Sequence, residues 1–216
     1  MSKKIAILLL LGTALTLLVA CGGPSQEYQP DEQLLTESFD DPNAWETYQS
    51  GSVDFSVNDG VYRVQTGDEG YIWGLNDQQH EDVIIEVTST QNSAHENNAY
   101  GVMCRADISN NGDGYYFLIS GDGYYTISKG EGDNVNQLVE WTSSSTINTG
   151  QASNTIRAVC AGNYLALYVN DKFLAETTDS DYKSGFAGFA ATAFEGGDTD
   201  VSFDNLTIST ASASGG

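Results

Sequence analysis

From Leu34 to Ile208 the chain is cut every few residues by turn-forming clusters, and the stretches between them alternate apolar with polar side chains. That period of two is the signature of strands with one buried face, and no window carries a sustained helical period. Val53–Val57 alternates, Asn58-Asp59-Gly60 turns, and Val61–Val64 returns. Further strands are expected at 71–75, 83–88 and 99–105. Tyr115–Ser120 and Tyr124–Lys129 should form a hairpin about Gly121-Asp122-Gly123. Thr155–Cys160, Tyr164–Val169 and Lys172–Glu176 read as a three-stranded meander, and Gly185–Ala191 and Val201–Ile208 close a set of about thirteen strands. So many half-apolar strands need two sheets packed face to face, which makes the chain all-β, an antiparallel sandwich without a parallel α/β core.

The stretch before this pattern differs in kind. Lys3 and Lys4 precede an apolar run from Ile5 to Leu18, broken only by Gly12, Thr13 and Thr16, and then comes Leu18-Val19-Ala20-Cys21. Charge, apolar core and small residues in that order form a secretion signal, and the run is short of the ~20 residues that span a bilayer. Leu-Val-Ala-Cys resembles the lipobox of bacterial lipoproteins. That resemblance implies cleavage before Cys21, acylation of its thiol, and export to the outer or periplasmic side of a membrane held by the lipid. The organisation expected is a signal at 1–20, a lipidated Cys and polar linker at 21–33, a β-sandwich at 34–208 and a loose tail at 209–216. Acylation accounts for the odd cysteine among three. Cys104 and Cys160 remain, and an oxidising compartment favours a disulfide between them over two separate buried thiols.

Two of the eight basic residues lie in the signal and all thirty Asp and Glu follow it. The exported part therefore sets six basic against thirty acidic side chains, a formal charge of −24. Phosphate backbones are repelled by such a surface, so nucleic acid is excluded as a partner, and anionic headgroups offer nothing beyond the acyl anchor. Glycans and divalent cations stay compatible, as does acidity that only keeps the protein soluble.

Phe39-Asp-Asp-Pro-Asn-Ala-Trp45, Gly60–Val64, Ala99–Arg105 with Tyr115–Ile119, the meander 154–170, and Gly185–Gly188 with Val201–Asn205 resemble, in that order, the concanavalin A-like or laminin-G-like jelly rolls. The resemblance implies a two-sheet jelly roll. It leaves function open, because such domains include lectins, glycosidases, adhesion modules and surface domains of bacterial lipoproteins.

Sugar-binding jelly rolls lay pyranose rings on aromatic faces. Trp73, Tyr116, Tyr125 and Trp141 are candidates for one exposed sheet face. Arg105 joins them, since a cation ending an apolar strand needs a ligand or a carboxylate. Plain core packing is the alternative for the aromatics, and Trp45 is expected in the core or as a lid. The Glu-x-Asp-x-x-Glu string of family-16 glycosidases is missing. Glu81-Asp82-Val-Ile-Ile-Glu86 has the wrong spacing, so no catalytic residue is assigned and the protein is read as a non-enzyme. His80 and His95 sit in polar stretches and are expected in solvent. Asp107–Asp113 has oxygen ligands at alternate positions, but Leu118 stands where a calcium loop needs Glu, and a hairpin turn fits better. Pairing of first and last strands could bring Asp40 or Asp41 near Asp204 to hold a structural Ca2+. The function expected is a lipid-anchored surface module that binds carbohydrate. The alternatives are a structural or sensory protein with a protein or envelope partner, and a divergent glycoside hydrolase-like enzyme.

Overall fold

A computed structural model describes residues 22–214 except 44, 68, 69, 108 and 110. The signal and Cys21 lie outside the described residues. Among the described residues fifteen strands are formed: β1 (Tyr28–Glu37), β2 (Tyr48–Ser50), β3 (Val53–Asn58), β4 (Val61–Thr66), β5 (Ile72–His80), β6 (Val83–Gln91), β7 (Asn98–Ala106), β8 (Gly114–Ile119), β9 (Tyr124–Glu131), β10 (Asn134–Ser143), β11 (Ser153–Ala161), β12 (Tyr164–Val169), β13 (Lys172–Thr178), β14 (Gly185–Ala193) and β15 (Thr199–Ala213). Every recorded pairing is antiparallel. One sheet runs β13-β12-β11-β6-β15-β4-β3-β2, with β1 also beside β15, and the other runs β10-β9-β8-β7-β14-β5. The expected jelly-roll sandwich is the fold.

Side-chain alternation divides the six-stranded sheet between two clusters. Tyr100, Val102 and Cys104 of β7 and Tyr115, Phe117 and Ile119 of β8 enter the core between the sheets. Their neighbours Ala99, Met103, Tyr116 and Leu118 build a second cluster on the sheet's outer face. The inter-sheet core is sealed where Phe189 of β14 stacks on Phe203 of β15 at 4.2 Å. Trp45 is in this core, 5.0 Å from Phe189. Gly101 marks a close approach between strands, since a Cβ there would sit 2.0 Å from the Phe117 carbonyl oxygen.

The Asp107–Asp113 segment is the expected hairpin turn between β7 and β8, closed by the Asp107 amide on the Asp113 carbonyl at 3.0 Å. Cys104 and Cys160 form the disulfide, joining β7 in one sheet to β11 in the other.

Several expectations are corrected. The chain from Tyr28, expected to be linker, is already strand, and the tail expected from 209 stays in β15 to Ala213. The two pair in register, Tyr28 opposite Ala213 and Pro30 opposite Ala211. Their composition is polar because β1 is largely exposed, so its stability comes from backbone pairing rather than from a buried stripe. Tyr28 and Ala211 pack with Phe173 on an apolar cluster of Ile84, Val159, Tyr164, Ala166 and Tyr168 on the outer face of the nine-stranded sheet.

His80 is buried rather than solvated. The Asn76 side-chain amide nitrogen lies 3.1 Å from its Nε2, while Asn76 Oδ1 accepts from the Ala187 amide. That arrangement leaves Nε2 as an acceptor and the ring neutral. Burial pushes the imidazole below its ordinary value of 6.5. The unfolded chain therefore binds the extra proton first. The stabilising contribution is complete above about pH 6.5 and is lost as pH falls toward the depressed folded value. Urea titrations between pH 7.5 and 5 should show stability falling with acid by up to ~1.4 kcal/mol per pH unit, the limit for one proton. His80→Gln should flatten that slope, and an unchanged slope would assign it to another group.

Candidate functional site

The outer face of the six-stranded sheet carries two depressions. The first is a cavity of about 570 Å3 lined by Asn97, Asn98, Ser120, Asp122, Tyr124, Trp141, Phe194 and Glu195. These residues come from the start of β7, the β8–β9 turn, the end of β10 and the loop after β14. Local chemistry shapes its walls. In the turn, Ser120 Oγ accepts from the Tyr124 amide and bonds Asp122 Oδ1, while Gly123 takes φ +90°, which favours glycine. The Gly121 amide donates to Asn98 Oδ1 at 3.1 Å. Behind the cavity, His95 Nε2 lies 2.7 Å from the Asn97 carbonyl and 3.0 Å from the Phe194 carbonyl. Facing two acceptors, it must carry the proton, and it ties the loop before β7 to the loop after β14. Gly197 fits against that ring where a Cβ would lie 2.1 Å away. His95 is thus a half-buried strut, where a solvated ring was expected.

Trp141 and Phe194 meet edge to face at 6.3 Å and form a half-buried apolar wall. Asn97 and the exposed carboxylates of Asp122 and Glu195 line the same cavity, and Asn98, whose side-chain amide is buried and bonded to Gln91, His95 and Gly121, supports it from beneath. An apolar plane bordered by acceptors and amides suits a ligand with one apolar face and a ring of hydroxyls.

The second depression, about 490 Å3, lies toward the opposite end of the same sheet and includes Tyr71, Trp73, Tyr116, Asn111, Asp133 and Asn136 in its lining. Tyr71 packs edge to face on Tyr116 at 5.8 Å, and burial raises the Tyr71 hydroxyl to about 12. Tyr116 donates its hydroxyl to the Gly112 carbonyl at 2.6 Å and is fully buried.

The five residues expected on one exposed face are therefore dispersed. Trp73 and Tyr116 share the second depression and Trp141 is in the first. Tyr125 turns into the inter-sheet core and donates its hydroxyl to the Leu174 carbonyl. Its place on the strand is one residue out of phase with the outer face, a parity that the pattern of β9 alone does not reveal. Arg105 is 2% exposed and bonds to the carbonyls of Glu81, Gly162 and Tyr182 and to Asp82 Oδ1. Its role is to hold three loops together. Phe194, Tyr124, Asn97, Asp122 and Glu195 were not singled out from the sequence. They sit in or beside turns from three segments, and no local pattern shows that those turns meet.

The structure does not gather Asp40, Asp41 and Asp204. Asp40 accepts from Ser38 Oγ, Asp41 from the Asn43 amide, and Asp204 from Asn205, each within its own turn. Among the described residues, no group of three or more His, Cys, Asp or Glu side chains is arranged to hold a metal ion.

Among solved structures, the chain is similar to a carbohydrate-binding module, CBM66, from Bacillus subtilis. That match has 17% identity and a TM-score of 0.64, covering 78% of this chain and 97% of that one. A Bacillus subtilis protein of unknown function with a galectin-like fold matches at 12% identity and TM-score 0.63, covering 86% and 99%. A Zobellia galactanivorans protein solved in complex with laminaritriose and laminaritetraose matches at 11% and 0.56, covering 84% and 100%. At these identities the likeness is one of fold. No curated protein matches the chain. The model of the 3-keto-alpha-glucoside-1,2-lyase-like domain matches residues 35–209, nearly the whole sandwich, and the chain belongs to that family.

Proposed function

We propose that the protein is a lipid-anchored surface module that binds a carbohydrate in the Trp141 cavity without transforming it. The observation that carries this reading is that the Trp141–Phe194 pair lines one cavity together with Asn97, Asp122 and Glu195. A pyranose ring packs its C–H face on such a wall and bonds its hydroxyls to the rim. The family and the fold shared with a carbohydrate-binding module support the class of ligand. Attachment through acylated Cys21, facing the exterior or periplasm, stands on the signal pattern.

A glycan array probed with the domain from Gly22 onward tests the reading. A defined glycan should bind, and Trp141→Ala should weaken it tenfold or more, about 1.4 kcal/mol, with the thermal transition unchanged. Binding that survives this substitution would move the site elsewhere. A thermal melt with and without EDTA tests the Ca2+ expected from the sequence: because Asp40, Asp41 and Asp204 each bond within their own turn, the transition should not move, and a fall in EDTA would restore the ion.

A second reading is enzymatic, favoured by the family's description and by two carboxylates on one cavity. Incubation with a 3-keto-α-glucoside separates the two. Product formation abolished by Asp122→Asn or Glu195→Gln establishes catalysis, and recovery of intact glycoside establishes binding alone.

A further inference from the structure

The segment expected to be a long polar spacer is mostly part of the fold, and this shortens the tether. The Ser25 amide donates to Glu176 Oε2 at 2.8 Å. Tyr164 donates its hydroxyl to the Gln26 carbonyl and lies 2.7 Å from Glu176 Oε2. Tyr28 stacks on Tyr164 at 5.5 Å, and the Ser214 amide donates to the Glu27 carbonyl. From Ser25 onward the chain is fastened to the outer face of the nine-stranded sheet. Ser25 is four positions beyond Cys21, a reach of at most ~14 Å, whereas a free spacer from 21 to 33 would reach ~40 Å.

Strand register shows where that fastening lies. Tyr164 opens β12 opposite Ala161, next to Cys160, whose disulfide fixes the same end of β7 at Cys104. Asn98, which lines the Trp141 cavity, is at the other end of β7. Six residues of strand from Asn98 to Cys104 span ~20 Å. The cavity also opens on the face of the six-stranded sheet opposite the core, so both sheets stand between it and Tyr164.

We infer that the anchored domain stands on its membrane in one orientation, with the disulfide end and the outer face of the nine-stranded sheet toward the lipid and the Trp141 cavity at the far end, facing away. The inference rests on acylation of Cys21. The tether is too short for the domain to turn over, and the acidic surface adds no attraction to anionic lipid that would reorient it. A ligand on a large polymer outside the cell thereby reaches the cavity without meeting the bilayer.

The test uses the full, processed chain in phosphatidylcholine vesicles that carry a headgroup acceptor dye. A donor is placed on an unnatural side chain at Asn163, in the exposed turn beside Tyr164, or at Ser145, in the exposed loop near the cavity. The donor at Asn163 should lose most of its emission to the lipid acceptor and the donor at Ser145 should keep most of its own. Inserting about twenty Gly/Ser residues between Gly23 and Pro24 should erase the difference. Equal transfer from both sites with the native tether, or stronger transfer from Ser145, overturns the orientation. The mass of the N-terminal peptide is read in parallel. An unmodified Cys21 overturns the anchor and the orientation together, whereas an acylated Cys21 with equal transfer overturns the orientation alone.

Discussion

Replacing Arg105 by methionine is expected to destabilise the domain by about 3–5 kcal/mol, the range for removing one partner from a buried charged network. The guanidinium side chain is 1% exposed, and its hydrogen bonds join the loop before β6 through Glu81 and Asp82, the β11–β12 turn through Gly162, and the β13–β14 connection through Tyr182. Methionine fills a similar volume and leaves the carbonyl oxygens without their donor. The Asp82 contact contributes least, because that carboxylate is half exposed and water screens it. Arg105 also takes φ +53°. Glycine at this position would relieve ~1 kcal/mol of backbone strain but would lose the same bonds and empty a buried side-chain site at a cost of about 2–5 kcal/mol, so Arg105→Gly should be at least as destabilising as Arg105→Met. Urea unfolding with tryptophan fluorescence measures both. A loss below 1 kcal/mol for either variant would return Arg105 to the surface role that a ligand contact requires.

Removing the disulfide should cost a similar amount for a different reason. Cys104 and Cys160 are 56 residues apart and both are buried in the core between the sheets. In the chain-entropy model, releasing a loop of that length from the unfolded state costs about 4 kcal/mol of stability. For a domain of this size that corresponds to a fall of roughly 8–16 °C in Tm. The double replacement Cys104→Ala, Cys160→Ala should show this loss with or without reductant, while the native chain should show it only when reduced. A fall of less than a few degrees would indicate that the unfolded chain is already compact across this span.

The fold is legible in the sequence where neighbours along the chain are the physical determinants. Alternation within a strand reports which side is apolar, turn residues report where the chain reverses, and the Gly121-Asp122-Gly123 hairpin and the meander from β11 to β13 follow from those signals alone. The class of fold follows too, since many half-apolar strands can bury their faces only in two packed sheets. The disulfide expected between Cys104 and Cys160 is formed. The ends of the domain did not follow. Tyr28–Gln33 and Ser209–Ala213 are polar in sequence and gain their order from each other's backbone across a separation of more than 170 residues, which no local pattern encodes. The site did not follow either. Tyr125 and Trp141 have equal claims as aromatic residues, yet strand phase and the twist of the sheets turn one into the core and set the other beside Phe194. Asn97, Asp122 and Glu195 became neighbours because sheet order β8-β7-β14 brings three separate loops to one end of the sandwich. Burial periodicity is a local property carried by each strand, whereas a cavity is made from loops whose proximity exists only after the strands have chosen their partners.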